Sequence, residues 1–172
     1  NMSVSDLFKP LTLLHGPAMR NRFMLAPLTS QQSDFDGTAS EYDQYWMEQL
    51  AQGGYGLIQT SASTVEAGGI AFERQLGIHS DDHLFGLTKM ATSIRSGGGL
   101  SAVQLHHAGH RAKPSIGGIP APASGKTVEG IKAITTEEAG TYQINLTEGD
   151  NHIFIYKNGV KDIGYKDVWS AA

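Results

Sequence analysis

Three short apolar runs, separated by stretches with helical periodicity, set the outline of this chain. The first, Arg22-Phe-Met-Leu-Ala26, is stopped by Pro27. It is apolar without alternation, which suits a strand buried on both faces. The second occupies residues 55–61, and the third residues 100–105, entered through Gly97-Gly-Gly99. Between the first two, Ser40-Glu-Tyr-Asp43 has the form of a capping box. Tyr42, Tyr45, Trp46 and Leu50 then recur at helical spacing until Gly53-Gly54, which predicts a helix with one apolar face. Between the second and third, Ser80 opens another helix with Asp81 and Asp82 in its positive first turn. Leu84, Leu87, Ala91 and Ile94 form its stripe, Arg95 suits its negative end, and Gly97 stops it.

Strand, helix, strand, helix, strand in this order predicts a parallel sheet with right-handed crossovers, its strands near residues 22–27, 55–61 and 100–105 adjacent in that order. Residues 11–20 carry Gly16-Pro17 between apolar flanks and predict a small hairpin. Residues 113–130, rich in Pro, Gly and Ser, and residues 147–151 read as loops. Asn158-Gly159 then sits between two β-prone runs in the manner of a type I′ turn, which predicts a hairpin over residues 152–165. Pairing across that turn sets Phe154 opposite Ile163 and Tyr156 opposite Lys161.

A length of 172 residues is ample for one core but short of the roughly 250 of a complete (β/α)8 barrel. A net charge of −4 with no run of Lys and Arg gives no electrostatic footprint for nucleic acid. Zero cysteines remove thiolate chemistry and sulfur-ligated zinc. No basic start followed by a long apolar run is visible, so the expectation is a cytoplasmic protein without membrane partners.

Chemistry is expected at strand ends, where α/β folds keep their sites. Val103-Gln-Leu-His-His-Ala-Gly-His110 puts an amide and three imidazoles at one such end. The histidines invite a metal reading, with a metal-dependent hydrolase as the function it entails. Against it, His106 and His107 point to opposite faces of a strand, and no His-Glu-x-x-His arrangement is present. His107 is expected to support the strand end as a hydrogen-bonded core residue. Ser124-Gly-Lys-Thr127 resembles the end of a phosphate-binding loop but has Pro120 where the first glycine belongs.

Taken together, Met24-Leu-Ala-Pro-Leu-Thr29, Gly56-Leu-Ile-Gln-Thr-Ser-Ala62 and Gln104-Leu-His-His-Ala-Gly109 resemble the first half of an Old Yellow Enzyme type flavin oxidoreductase. The connectors Leu7-Phe-Lys-Pro-Leu-Thr12, Arg20-Asn-Arg22 and Gly77-Ile-His-Ser-Asp81 match as well, and the resemblance runs from about Leu7 to about Ser124. Two departures stand out. His110 and Arg111 replace the family's usual Arg and Lys, and residues 120–124 only loosely echo its Ala-Pro-Ser loop.

The resemblance implies an α/β fold: a partial, half (β/α)8 barrel over residues 1–125, with a divergent tail at 126–172 holding the hairpin. It implies FMN, with NAD(P)H as reductant, and an activated alkene or quinone-like small molecule as substrate. By the same resemblance the flavin contacts fall on Pro27, Leu28, Thr29, Ala62 and Gln104, with Thr29 donating to O4 and Gln104 serving the pyrimidine edge. The family's catalytic His-x-x-His or His-x-x-Asn pair, proton-donating Tyr and phosphate loops belong to later strands and find no match, so no catalytic residue is assigned. The expectation is therefore a truncated enzyme that assembles with itself or with a complementary half-barrel chain. The alternative is a noncatalytic half-barrel assembly module.

Overall fold

The computed structural model describes residues 3–121 and, as backbone, three strands within residues 142–165. β1 (Met24–Leu25), β2 (Leu57–Thr64) and β3 (Leu100–His106) form one parallel sheet in the order β1-β2-β3. This is the arrangement expected from the apolar runs, although β1 is shorter than its run. α1 (Glu41–Gln52) and α2 (Leu84–Ser96) are the two crossovers.

Both helices pack on one face of the sheet. Met47 and Ala51 of α1 join Leu87, Met90 and Ile94 of α2, with Ile58, Leu76 and Ile78, in a single core against which Leu25, Val103 and Leu105 rest. Alternation along each strand therefore sends Met24, Leu57, Ala102, Gln104 and His106 to the opposite face, which no described helix covers. Of the predicted α2 stripe, Leu87, Ala91 and Ile94 are buried, Met90 joins them, and Leu84 is half-buried against the core.

α1 differs from expectation. Its buried residues are Asp43, Gln44, Met47 and Ala51, whereas Tyr42, Tyr45 and Trp46 are exposed. Side-chain hydrogen bonds and small size decide the face. Ser40 and Asp43 form the predicted capping box, with Asp43 N–H donating to Ser40 Oγ (3.2 Å) and Ser40 N–H to Asp43 Oδ2 (3.0 Å). Gln44 Nε2 donates to the Gly86 carbonyl (2.8 Å), and Ala51 lets the end of α2 approach at Gly97. Burial raises the pKa of the Asp43 carboxyl from its ordinary value, against the Ser40 hydrogen bonds.

The connectors fix where the strands begin. Leu11 and Met19 exchange backbone hydrogen bonds of 2.9 Å around Gly16, making the small hairpin expected there. Arg20 then donates to three carbonyls: Ala51 near the end of α1 (2.6 Å), Gly97 at the cap of α2 (2.7 Å), and Tyr55 ahead of β2 (2.9 and 3.2 Å). One guanidinium thus caps both helices and locks the entry to the sheet.

β4 (Tyr142–Leu146), β5 (Ile153–Lys157) and β6 (Val160–Tyr165) form a separate antiparallel sheet. β5 and β6 are the predicted hairpin, and Tyr156 faces Lys161 as expected. A register shift between Ile155 and Tyr156 puts Ile155 opposite Ile163 and Phe154 opposite Gly164, so the expected Phe154–Ile163 pair does not form. β4 was not visible in the pattern. The Asn158-Gly159 turn, the 125/126 domain boundary and residues 124–127 lie outside the described residues. Among the described residues, no helix is long and apolar enough to cross a membrane.

Candidate functional site

The C-terminal ends of β2 and β3 are shaped by an irregularity in β2. From Leu57↔Leu100 to Gln59↔Ala102 the strands run in one register, which continued would set Ser61 beside Gln104. An extra residue in β2 shifts the register before Ala62, so Ala62 pairs with Gln104, Ser63 with Leu105 and Thr64 with His106. A shift of one residue exchanges the faces of every later side chain. The smallest available side chain consequently stands next to the amide.

Polar groups of β2 stabilise this bulge. Thr60 Oγ1 donates to the Ser61 carbonyl (2.9 Å) and accepts the Gln104 backbone N–H (3.3 Å), while Ser63 Oγ also donates to the Ser61 carbonyl (3.0 Å). Thr60, Ser61 and Ser63 are all buried, so these bonds satisfy groups that water does not reach.

The sequence-predicted residues fall into two groups. Ala62 and Gln104 are neighbours across β2 and β3, and Ala62 is buried. Pro27, Leu28 and Thr29 follow β1, with Leu28 and Thr29 exposed, and no hydrogen bond among the described residues joins them to Ala62 or Gln104. Neither the Gln104 amide nor the Thr29 hydroxyl has a hydrogen-bond partner among the described residues. An unengaged amide beside a small residue, with an unengaged hydroxyl after the first strand, suits a flat ring that presents both donors and acceptors along one edge.

The histidines separate as alternation requires. His107 Nδ1 accepts the Gly109 N–H (2.9 Å), which leaves its proton on Nε2 to donate to Glu66 Oε2 (3.2 Å). Its ring lies against Gly69, where an added Cβ would come within 2.5 Å of Cδ2. His107 is therefore hydrogen-bonded as expected but sits at the surface rather than in the core. His106 turns to the face of Gln104, where its Nδ1 meets Gln75 Nε2 (3.0 Å) and Phe72 stands at 6.4 Å between ring centroids.

Two residues at this site escaped the sequence reading. Thr60 fills the bulge, and Gln75, 1% exposed, joins the Ala62 carbonyl (3.2 Å) to His106. The signal for Thr60 was the run Thr60-Ser-Ala-Ser-Thr64, too polar for a simple buried strand. Gln75 carried none.

Comparison with known proteins gives one answer. A sequence model of the NADH:flavin oxidoreductase / NADH oxidase family matches residues 6–157, beyond the Leu7–Ser124 span of the motif resemblance. A Bacillus pumilus NADPH dehydrogenase is 37% identical over 121 residues, covering 70% of this chain and 35% of that protein. A Vibrio harveyi NADH:acrylate oxidoreductase is 33% identical over 130 residues, covering 75% of this chain and 13% of that protein. The Old Yellow Enzyme homologue of Zymomonas mobilis superposes with a TM-score of 0.68 at 24% identity, covering 77% of this chain and 41% of the other, so the described fold is part of a (β/α)8 barrel. The chain thus spans at most about a third of the length of these two curated relatives. FMN and NAD(P)H are the cofactors of the matching family. With the three-strand topology and the family match over residues 6–157 in agreement, this chain belongs to the NADH:flavin oxidoreductase / NADH oxidase family.

Proposed function

We propose that this chain supplies the β1–β3 wall of an FMN site in an NAD(P)H-dependent oxidoreductase of Old Yellow Enzyme type, acting on an activated alkene or quinone-like small molecule. The observation that carries the reading is the Ala62–Gln104 pair created by the β2 bulge. Gln104 offers its carbonyl and NH2 to the pyrimidine edge of the ring. Ala62 leaves room for the ring against the sheet, and Pro27 and Leu28 contribute backbone at the end of β1. Thr29 presents a hydroxyl that donates to O4. FMN, when bound and reduced by NAD(P)H, supplies hydride from N5. The chain's own part is to orient the ring and exclude water from one of its edges.

β1 and β3 each have one edge without a partner strand among the described residues, and the Met24–Gln104 face lacks a covering layer there. Open parallel edges and an uncovered inner face favour closure by further strands. We assign that role to a second copy or to a complementary half-barrel chain. Titration of the 172-residue chain with FMN, followed by quenching of flavin fluorescence and then by anaerobic addition of NADPH, tests the proposal. Saturable binding and NADPH-dependent loss of the oxidised-flavin absorbance support it. Absence of saturable FMN binding, at all protein concentrations and in every oligomeric state separated by size exclusion, refutes it.

A further inference from the structure

Gln75 lies in a segment that runs beside the end of β2: Thr64 N–H donates to the Leu76 carbonyl (2.8 Å) and Ile78 N–H to the Thr64 carbonyl (3.0 Å). Its buried side-chain amide meets three groups. Oε1 accepts the Ala71 N–H (2.9 Å), and Nε2 reaches both the Ala62 carbonyl (3.2 Å) and His106 Nδ1 (3.0 Å). A backbone N–H can only donate and a backbone carbonyl can only accept, so the two ends of the network dictate which way the amide faces. Both Nε2 hydrogens are then committed, one to Ala62 and one to His106, and His106 Nδ1 has to accept. An imidazole that accepts at Nδ1 carries its single proton on Nε2.

We propose that Gln75 is a positioning residue that ties the Ala62 carbonyl of β2 to His106 of β3 and holds the His106 imidazole neutral with its proton on Nε2. An imidazolium would set N–H against N–H and leave a buried amide hydrogen without an acceptor. Burial acts in the same direction, lowering the His106 pKa from its ordinary value, and His107 adds to it. The other charged groups nearby are engaged or turned outward. Glu66 accepts from His107 Nε2, Arg74 donates to the Ser33 carbonyl (2.7 Å), and Glu73 is exposed. His106 Nε2 has no partner among the described residues. The Gln104 face thereby gains an uncharged N–H donor that stays constant through neutral pH, available to a carbonyl oxygen of a molecule bound there. That last consequence rests on the flavin-site reading; the tautomer does not.

The test is long-range proton–nitrogen NMR on the nitrogen-15-labelled, flavin-free chain, with the His106 signals assigned by their loss in His106→Phe. The wild type should show a pyridine-like Nδ1 and a pyrrole-like Nε2, and should titrate below the ordinary histidine range. Gln75→Leu should give mixed tautomers, while burial and His107 keep the titration below the ordinary histidine range. Gln75→Glu should draw a proton onto Nδ1 and move the titration above that range. A wild-type His106 with its proton on Nδ1, or a Gln75→Leu spectrum like the wild type, overturns the proposal. If neither variant folds, the wild-type tautomer and titration decide alone. FMN added afterwards separates the two claims: the predicted tautomer without FMN binding refutes the flavin site alone, and FMN binding with the proton on Nδ1 refutes the role of Gln75 alone.

Discussion

Arg20→Ala removes the clamp on which the sheet's entry depends. In the structure the guanidinium makes four hydrogen bonds to three backbone carbonyls, the two shortest at 2.6 and 2.7 Å to the ends of α1 and α2. A hydrogen bond to a charged group contributes about 1.5–3 kcal/mol, so three carbonyls at the lower figure give about 4.5 kcal/mol. Water reaching the vacated, half-buried carbonyls restores part of this and leaves a loss of about 3 kcal/mol. For a chain of this size that lowers Tm by about 6–12 °C. Arg20→Lys keeps a cation but not the planar fork, cannot span all three carbonyls, and should lose about half as much. Urea unfolding followed by far-ultraviolet circular dichroism at fixed protein concentration measures both. A loss below about 1 kcal/mol for Arg20→Ala, or a Lys variant as stable as the wild type, would refute the reasoning.

Three further outcomes follow from the site. Thr60→Val keeps the shape but removes the hydroxyl that holds the bulge, so it should cost about 1–3 kcal/mol and weaken FMN binding together; unchanged affinity in a destabilised variant would dissociate the bulge from the site. Thr29→Ala should lower the flavin potential by roughly 30–60 mV, the equivalent of one hydrogen bond to a charged ring, and a potential that does not move in a reductive titration takes Thr29 out of the site. Burial lowers the pKa of His79 and of His106 from 6.5, with His83 and His107 adding respectively. Between their folded values and 6.5 the unfolded chain binds more protons, so stability rises with pH through that window and falls on acidification. Urea midpoints from pH 7.5 down should show this fall, and a slope that persists in a His79→Asn/His106→Asn double variant would exclude both histidines.

Much of the scaffold was legible because it depends on local chemistry. Apolar runs ended by Pro27 and opened by Gly97-Gly-Gly99 gave the strand order, Ser40 and Asp43 gave a helix start, and Asn158-Gly159 gave a hairpin. The face of α1 was misread because hydrophobicity alone assigns aromatic residues inward. Close helix packing selected Ala51, Met47 and two hydrogen-bonded polar residues instead. The hairpin's register slipped at an irregularity that no residue type announces. The motifs name Ala62 and Gln104 as candidates, but their adjacency depends on a bulge, and Gln75 bonds to residues 13 and 31 positions away. Such long-range hydrogen bonds leave no periodic trace in a sequence.

The central claim is that the β2–β3 strand ends hold the pyrimidine edge of a flavin, and its most direct test is the FMN dissociation constant of the chain with Gln104 and with Gln104→Ala. Two hydrogen bonds lost from the ring edge, at about 0.5–1.5 kcal/mol each, predict an affinity weaker by about 5- to 150-fold. The fold should be intact by circular dichroism, because only the Gln104 backbone N–H takes part in the bulge. Equal FMN affinity in the two folded proteins would contradict the account.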